Sequence, residues 1–139
     1  IDHRISTGQR TPLMYIARFG KLQALTAMLA LGANPNLRDS DGSTCVMCCC
    51  MCRPDNTVSV DGCLQAMIDA RADVNAQDSM GATALHIVAL QQPPQVSEFR
   101  TLLTAGADPL LRTKAGVSPL SVVEALGCND SAASKAVLD

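Results

Sequence analysis

Five of the seven cysteines stand within eight residues, in the run Cys45-x-x-Cys48-Cys49-Cys50-x-Cys52. Thiols at this density can serve as soft metal ligands or as redox couples. Spacings of three and four put Cys45, Cys49 and Cys52 on one face of a helix. A structural zinc site, however, closes with two ligand pairs well separated in sequence, and neither His3 nor His86 stands near the run. Adjacent cysteines cannot bridge without strain and the total is odd, so the pattern implies an intracellular, reducing compartment. No metal and no cofactor is expected, and the cysteines are read as small buried hydrophobes.

Other catalytic constellations fare no better. Two histidines, one of them near the N-terminus, suggest no Ser/His/Asp or Cys/His site, and no glycine-rich phosphate loop occurs. Asp39 and Asp41 stand just before Gly42 and read as turn residues rather than as an acid and a base. The chain is therefore not expected to be an enzyme. Eleven Lys and Arg against thirteen Asp and Glu give a net charge of -2, with no surplus to attract phosphate backbones. The aromatic residues are Tyr15, Phe19 and Phe99, too few for base-stacking platforms, so nucleic acid is excluded as a partner. The longest apolar run, Cys45 to Cys52, is far shorter than the ~20 residues that cross a bilayer, so no membrane insertion is expected. At 139 residues, 47% hydrophobic and 17% charged, the chain suits one folded domain, 1–139. It opens at Ile1 without a leader, which reads as a segment excised from a longer protein with other domains.

The elements that position these residues follow from a repeat. Thr11-Pro12-Leu13, Thr44-Cys45-Val46, Thr83-Ala84-Leu85 and Ser118-Pro119-Leu120 start 33, 39 and 35 residues apart. Thr or Ser caps a helix start, and Pro12 and Pro119 stand where a missing amide hydrogen costs nothing. An apolar residue and small residues follow, as in Ile16-Ala17 and Val88-Ala89, and Gly20 and Gly127 end the helix. A second helix carries Leu25, Met28 and Leu29, or Phe99, Leu102 and Leu103, on one face. Asn34-Pro35-Asn36, Asp73-Val74-Asn75 and Asp108-Pro109 are turn chemistry, and Asp41-Gly42, Met80-Gly81 and Ala115-Gly116 make a second turn before the next cap. Helix, helix and finger form the unit.

This unit resembles the ankyrin repeat, most strongly over Ala72 to Ala89. The resemblance implies an all-α repeat solenoid of stacked helix-turn-helix units with short β-hairpin finger loops. Repeats are placed at about 6–38, 39–77, 78–112 and 113–139, with an insertion at 53–61 between the helices of repeat two and a shorter one around Gln91 to Gln95. Arg71 stands where sibling repeats have glycine, which predicts a positive φ at a cost of about 1 kcal/mol. Val137-Leu138 falls where repeat four needs the Leu pair of its second helix. In register, Cys48 replaces an apolar core residue and Cys49 and Cys50 the small pair. Cys52 maps to an exposed position and is expected to be the reactive thiol. His86 matches the family's histidine and implies a hydrogen-bonding link between neighbouring repeats.

What the resemblance implies for function is a non-catalytic module holding a protein or peptide on its concave face. Carried over, that face includes Arg18, Phe19, Asp41, Met51, Cys52, Met80, Leu90, Gln91, Lys114 and Leu126, with Arg10 and Ser43 beside them. Phe19, Met51, Met80, Leu90 and Leu126 form an apolar stripe where a solvated face would be polar. Asp73-Val74-Asn75 resembles the target of an asparaginyl hydroxylase, except that Met67 replaces the leucine eight residues earlier. Two alternatives remain open. One is a substrate-recruiting domain of a larger enzyme, such as a ubiquitin ligase, kinase or acyltransferase. The other is a self-associating scaffold.

Overall fold

Each short helix starts at a Thr or Ser held in extended backbone. Thr11 (φ -83, ψ 158) precedes α1, Pro12–Arg18, and its hydroxyl accepts from the Met14 amide at 3.3 Å. Ser118 caps α7, Pro119–Ala125, by accepting from Ser121 N at 3.2 Å. These side chains satisfy amides that the first helical turn cannot. Between them lie α2 (Leu22–Ala30), α3 (Cys45–Cys50), α4 (Val60–Asp69), α5 (Ala84–Ala89) and α6 (Val96–Thr104). The computed structural model describes residues 1–5, 8–52, 60–91 and 95–126. Among them no sheet forms, and strand-type pairing is confined to an isolated Ile5–Arg10 bridge. Where hairpins are expected, the fingers are tight turns closed by Asp39 N to Ser43 O, Asp78 N to Ala82 O and Thr113 N to Val117 O.

Two compact units result, Ile1–Asp73 and Val74–Asp139. In the first, α1 packs on α2 and α3, and α4 packs on α2 and α3. Its core joins Leu13, Met14 and Leu25 to the wholly apolar α3 and to Leu64 and Met67 of α4. In the second, α5 packs on α6 and α7, with Leu85, Val88, Phe99 and Leu102 buried. First helices of six or seven residues are too short to be stable alone and owe their existence to this burial.

Successive repeats inside each unit are also tied through asparagine. The Asn36 carboxamide donates to Arg71 O at 3.2 Å and accepts from Asp73 N at 2.7 Å. Asn75 repeats the arrangement, donating to Gly106 O at 3.0 Å and accepting from Asp108 N at 2.7 Å. Asp2 supplies the accepting half for Asn34 N at 3.1 Å.

Several expectations need correction. Val60 and Asp61, placed in the insertion 53–61, form the first turn of α4, because Val60 is buried and extends the apolar face of Cys63, Leu64 and Met67. Positions 53–59, 92–94, Gly127 and the Val137-Leu138 pair lie outside the described residues. Thr44 does not cap α3 through its side chain, and its buried Oγ1 has no hydrogen-bond partner. The residue at the third helical position is Met47, which offers no polar atom to answer it. Arg71 does adopt the left-handed region, at φ 62, and so does Gln9, at φ 54.

Candidate partner-binding faces

The finger tips are fixed by side chains, which settles the role of their acids. Asp39 Oδ1 accepts from the amides of Asp41 at 3.0 Å and Ser43 at 2.9 Å. Asp78 Oδ1 accepts from Met80 and Ala82, both at 2.9 Å, and Thr113 Oγ1 accepts from Val117 at 3.2 Å. Short polar side chains that bond backbone two to four residues on are turn formers. Asp39 Oδ2 is 3.1 Å from Arg10 Nε, and its side chain is 1% exposed against 33% for Arg10. That bond raises the Arg10 pKa further, against the opposing effect of burial. The carboxylate is thus committed to structure.

Neighbouring fingers within a unit touch backbone to backbone. Ser40 N donates to Gly8 O at 2.8 Å, and Lys114 N to Met80 O at 2.9 Å. Gly81, at φ 79, permits the second contact, since a Cβ there would meet Lys114 N and Thr113 Cα at 3.0 Å. His86 completes the linkage. Thr83 N donates to its Nδ1 at 3.0 Å, so Nε2 carries the proton and donates to Val117 O at 2.9 Å, in the next repeat. The histidine is buried and structural.

The six described cysteines are thiols, and all are buried. Burial pushes Cys45 far up, and Cys48 to about 11 even though Arg10 pulls it down. Cys49 is raised by its hydrogen bond to Cys63 and then by burial, while Cys63, receiving that bond, is lowered. Cys52 is 6% exposed, which corrects its reading as a solvent-facing, reactive thiol. Helix α3 ends at Cys50, so by Cys52 the chain no longer follows the face that helical register assigns. Among the described residues no group of three or more His, Cys, Asp and Glu could hold a metal ion.

The remaining predicted residues separate by unit. In Ile1–Asp73, Arg18, Phe19 and Asp41 are exposed and Met51 is half-buried, with the Arg18 guanidinium 3.5 Å from Met51 Sδ. Arg18 and Phe19 end α1, and Met51 is the C-cap of α3, so the packing of α1 on α3 brings Arg18 onto Met51, with Phe19 next in the chain. Asp41 stands apart, on the finger. Ser43 is buried and leaves the face, because its amide turns inward to Asp39. In Val74–Asp139, Met80 and Lys114 meet across the finger backbone, with exposed Val117 on the same finger as Lys114. Leu90 and Leu126 are the exposed C-caps of α5 and α7, and Gln91 is half-buried. Exposed apolar side chains also occur elsewhere, at Leu31 and Leu110. No helix among the described residues is long and apolar enough to cross a membrane.

The family model for the ankyrin repeat matches residues 8–40, which span α1 and α2 and end within the finger that begins at Asp39. The match supports an ankyrin-repeat family assignment. It is similar to the NAD-dependent deacetylase sir2B of Dictyostelium discoideum, with 31% identity over 86 residues. That match covers 60% of this chain and 11% of the relative, so the chain spans a small part of that relative's length. Ankyrin repeats are in general protein-interaction modules and typically not catalytic. The described contacts agree with this class, since His86, Asp39, Asn36 and Asn75 each bond a neighbouring repeat.

Proposed function

We propose that this chain is a non-catalytic, intracellular protein-binding module that holds a protein or peptide partner on its finger tips and first-helix ends. The observation that carries the reading is the exposure of large apolar groups there: Phe19 at 61%, Met80 at 65% and Leu90 at 63%. Exposure alone does not choose the face, since Leu31 and Leu110 are equally bare. Clustering does. Phe19 follows Arg18, which contacts Met51, and Met80 meets Lys114 across the finger backbone, whereas Leu31 caps α2 and Leu110 sits in the turn after α6. Apolar anchors beside adaptable methionine and a long cation are the composition of interface centres.

The test is a titration of a partner captured with the whole chain. Phe19→Ala, Met80→Ala and Leu90→Ala each weaken binding by about 2 kcal/mol, while Leu31→Ala and Leu110→Ala leave it unchanged. Circular dichroism confirms that each variant is folded. The reverse pattern overturns the reading. A second reading is favoured by the relative named above: an ankyrin segment that recruits substrates or partners to a longer enzyme. The coding sequence on either side of Ile1 and Asp139 decides between a free-standing module and such a segment.

A further inference from the structure

We infer that the end of α1 in the unit Ile1–Asp73 recognises a short protein segment carrying a carboxylate beside a large apolar side chain. The carboxylate engages Arg18, and the apolar group lies on Phe19 and Met51. This rests on the module reading above and names the partner chemistry for one of its faces.

Charge decides the occupant. Arg10 is already committed, its Nε held by the buried carboxylate of Asp39, and both oxygens of that carboxylate are in use. Arg18 differs. Among the described residues its guanidinium donates to the Met51 thioether, a weak acceptor that leaves the positive charge unanswered. Lys21, exposed at the start of α2, adds a second cation two residues beyond Phe19. The exposed acid of this face, Asp41, belongs to the finger at the other end of the first helices, about 10 Å away along a seven-residue helix. The helix end therefore presents cation next to apolar surface, with its own acid remote. Its complement is acid next to apolar surface.

The geometry suits a planar fork. The thioether contact holds the guanidinium beside the Phe19 end of α1, leaving its other donors available for a carboxylate. A segment that offers only apolar groups leaves the charge unmatched, and one carrying Lys or Arg is repelled.

The experiment pans a phage-displayed library of random dodecapeptides against the immobilised full chain, then measures synthetic hits by fluorescence polarisation. Recovered peptides are expected to carry Asp or Glu within four residues of Leu, Phe or Met. Arg18→Gln, or amidation of that acid in the peptide, weakens binding about tenfold, and the two changes together cost little more than either alone. Replacing the peptide's acid by Lys abolishes binding to the parent and restores it to Arg18→Glu. Phe19→Ala weakens every hit, and circular dichroism shows each variant folded. Failure to recover peptides, recovery of peptides without an acid, or indifference to Arg18→Gln overturns the inference. Hits that ignore Arg18 but are lost in Met80→Ala and Leu90→Ala overturn it while leaving the module reading intact. Hits lost only in Leu31→Ala or Leu110→Ala defeat both.

Discussion

Asn36 and Asn75 each join two turns of successive repeats through one carboxamide, donating to a carbonyl and accepting from an amide. Replacing either by Ala leaves those backbone groups without their partner, so each change is expected to cost about 1–3 kcal/mol, read as a lower urea midpoint. Asn→Asp keeps the acceptor and loses the donor, and falls between. Arg71 is the opposite case. It holds φ 62, where Gly32 and Gly106 stand in the sibling repeats, so Arg71→Gly relieves strain and stabilises by about 1 kcal/mol. That residue was legible in the sequence because its siblings state what the position needs. The asparagines were not, since Asn-Pro-Asn reads as turn chemistry whether or not its side chains reach the next repeat. Arg10 and Asp39 were missed as a pair because they are 29 residues apart and nothing local links them. Cys52 was misread because register was carried past the true end of α3.

Helix α3 is the element where sequence and environment sit least comfortably. Its six residues are all apolar or thiol and all buried, and its cap hydroxyl at Thr44 is orphaned. Removing an unpartnered buried hydroxyl costs nothing, so Thr44→Val is expected to be neutral or stabilising. Thr11→Val, which loses a working cap, lowers stability by about 1 kcal/mol. Parallel thermal melts check both. The thiols make α3 sensitive to alkali. The pKa of Cys48 is raised to about 11, and Cys45 and Cys49 are raised too, so the folded state binds these protons more tightly than the unfolded chain does. The stability they protect is fully present below the unfolded value near 9 and is lost as pH rises through the folded one. Each raised thiol removes about 1.4 kcal/mol per pH unit in that window, partly offset by Cys63, whose shift has the opposite sign. Urea melts between pH 8.5 and 10.5 measure the slope, and Cys48→Ala is expected to reduce it. At neutral pH Cys52 is as protected as its neighbours, so Cys52→Ser leaves the number of fast-reacting thiols unchanged.

Across the whole molecule, repeats support one another within each unit rather than standing alone. The α7 helix is seven residues long and packs on α5, with His86 bonded to the Val117 carbonyl just before it. Deleting residues 78–112 is therefore expected to remove the helical signal of α7 as well as its own. The family was legible at this scale because four caps at nearly constant spacing cannot arise from a single accidental motif. The proposed partner-binding face is legible only as a register. Burial decided which of its residues are available, keeping Phe19, Met80 and Leu90 and removing Ser43 and Cys52. The six methionines give the most direct reading of the central claim, that a partner rests on the finger tips and first-helix ends. Met80 is exposed and Met51 half-buried on those faces, Met28 is half-buried on α2, and Met14, Met47 and Met67 are buried. In a methyl NMR titration of carbon-13-labelled methionine with the captured partner, the Met51 and Met80 resonances are expected to shift while Met28 stays in place. A shifted Met28 with unmoved Met51 and Met80 contradicts the account.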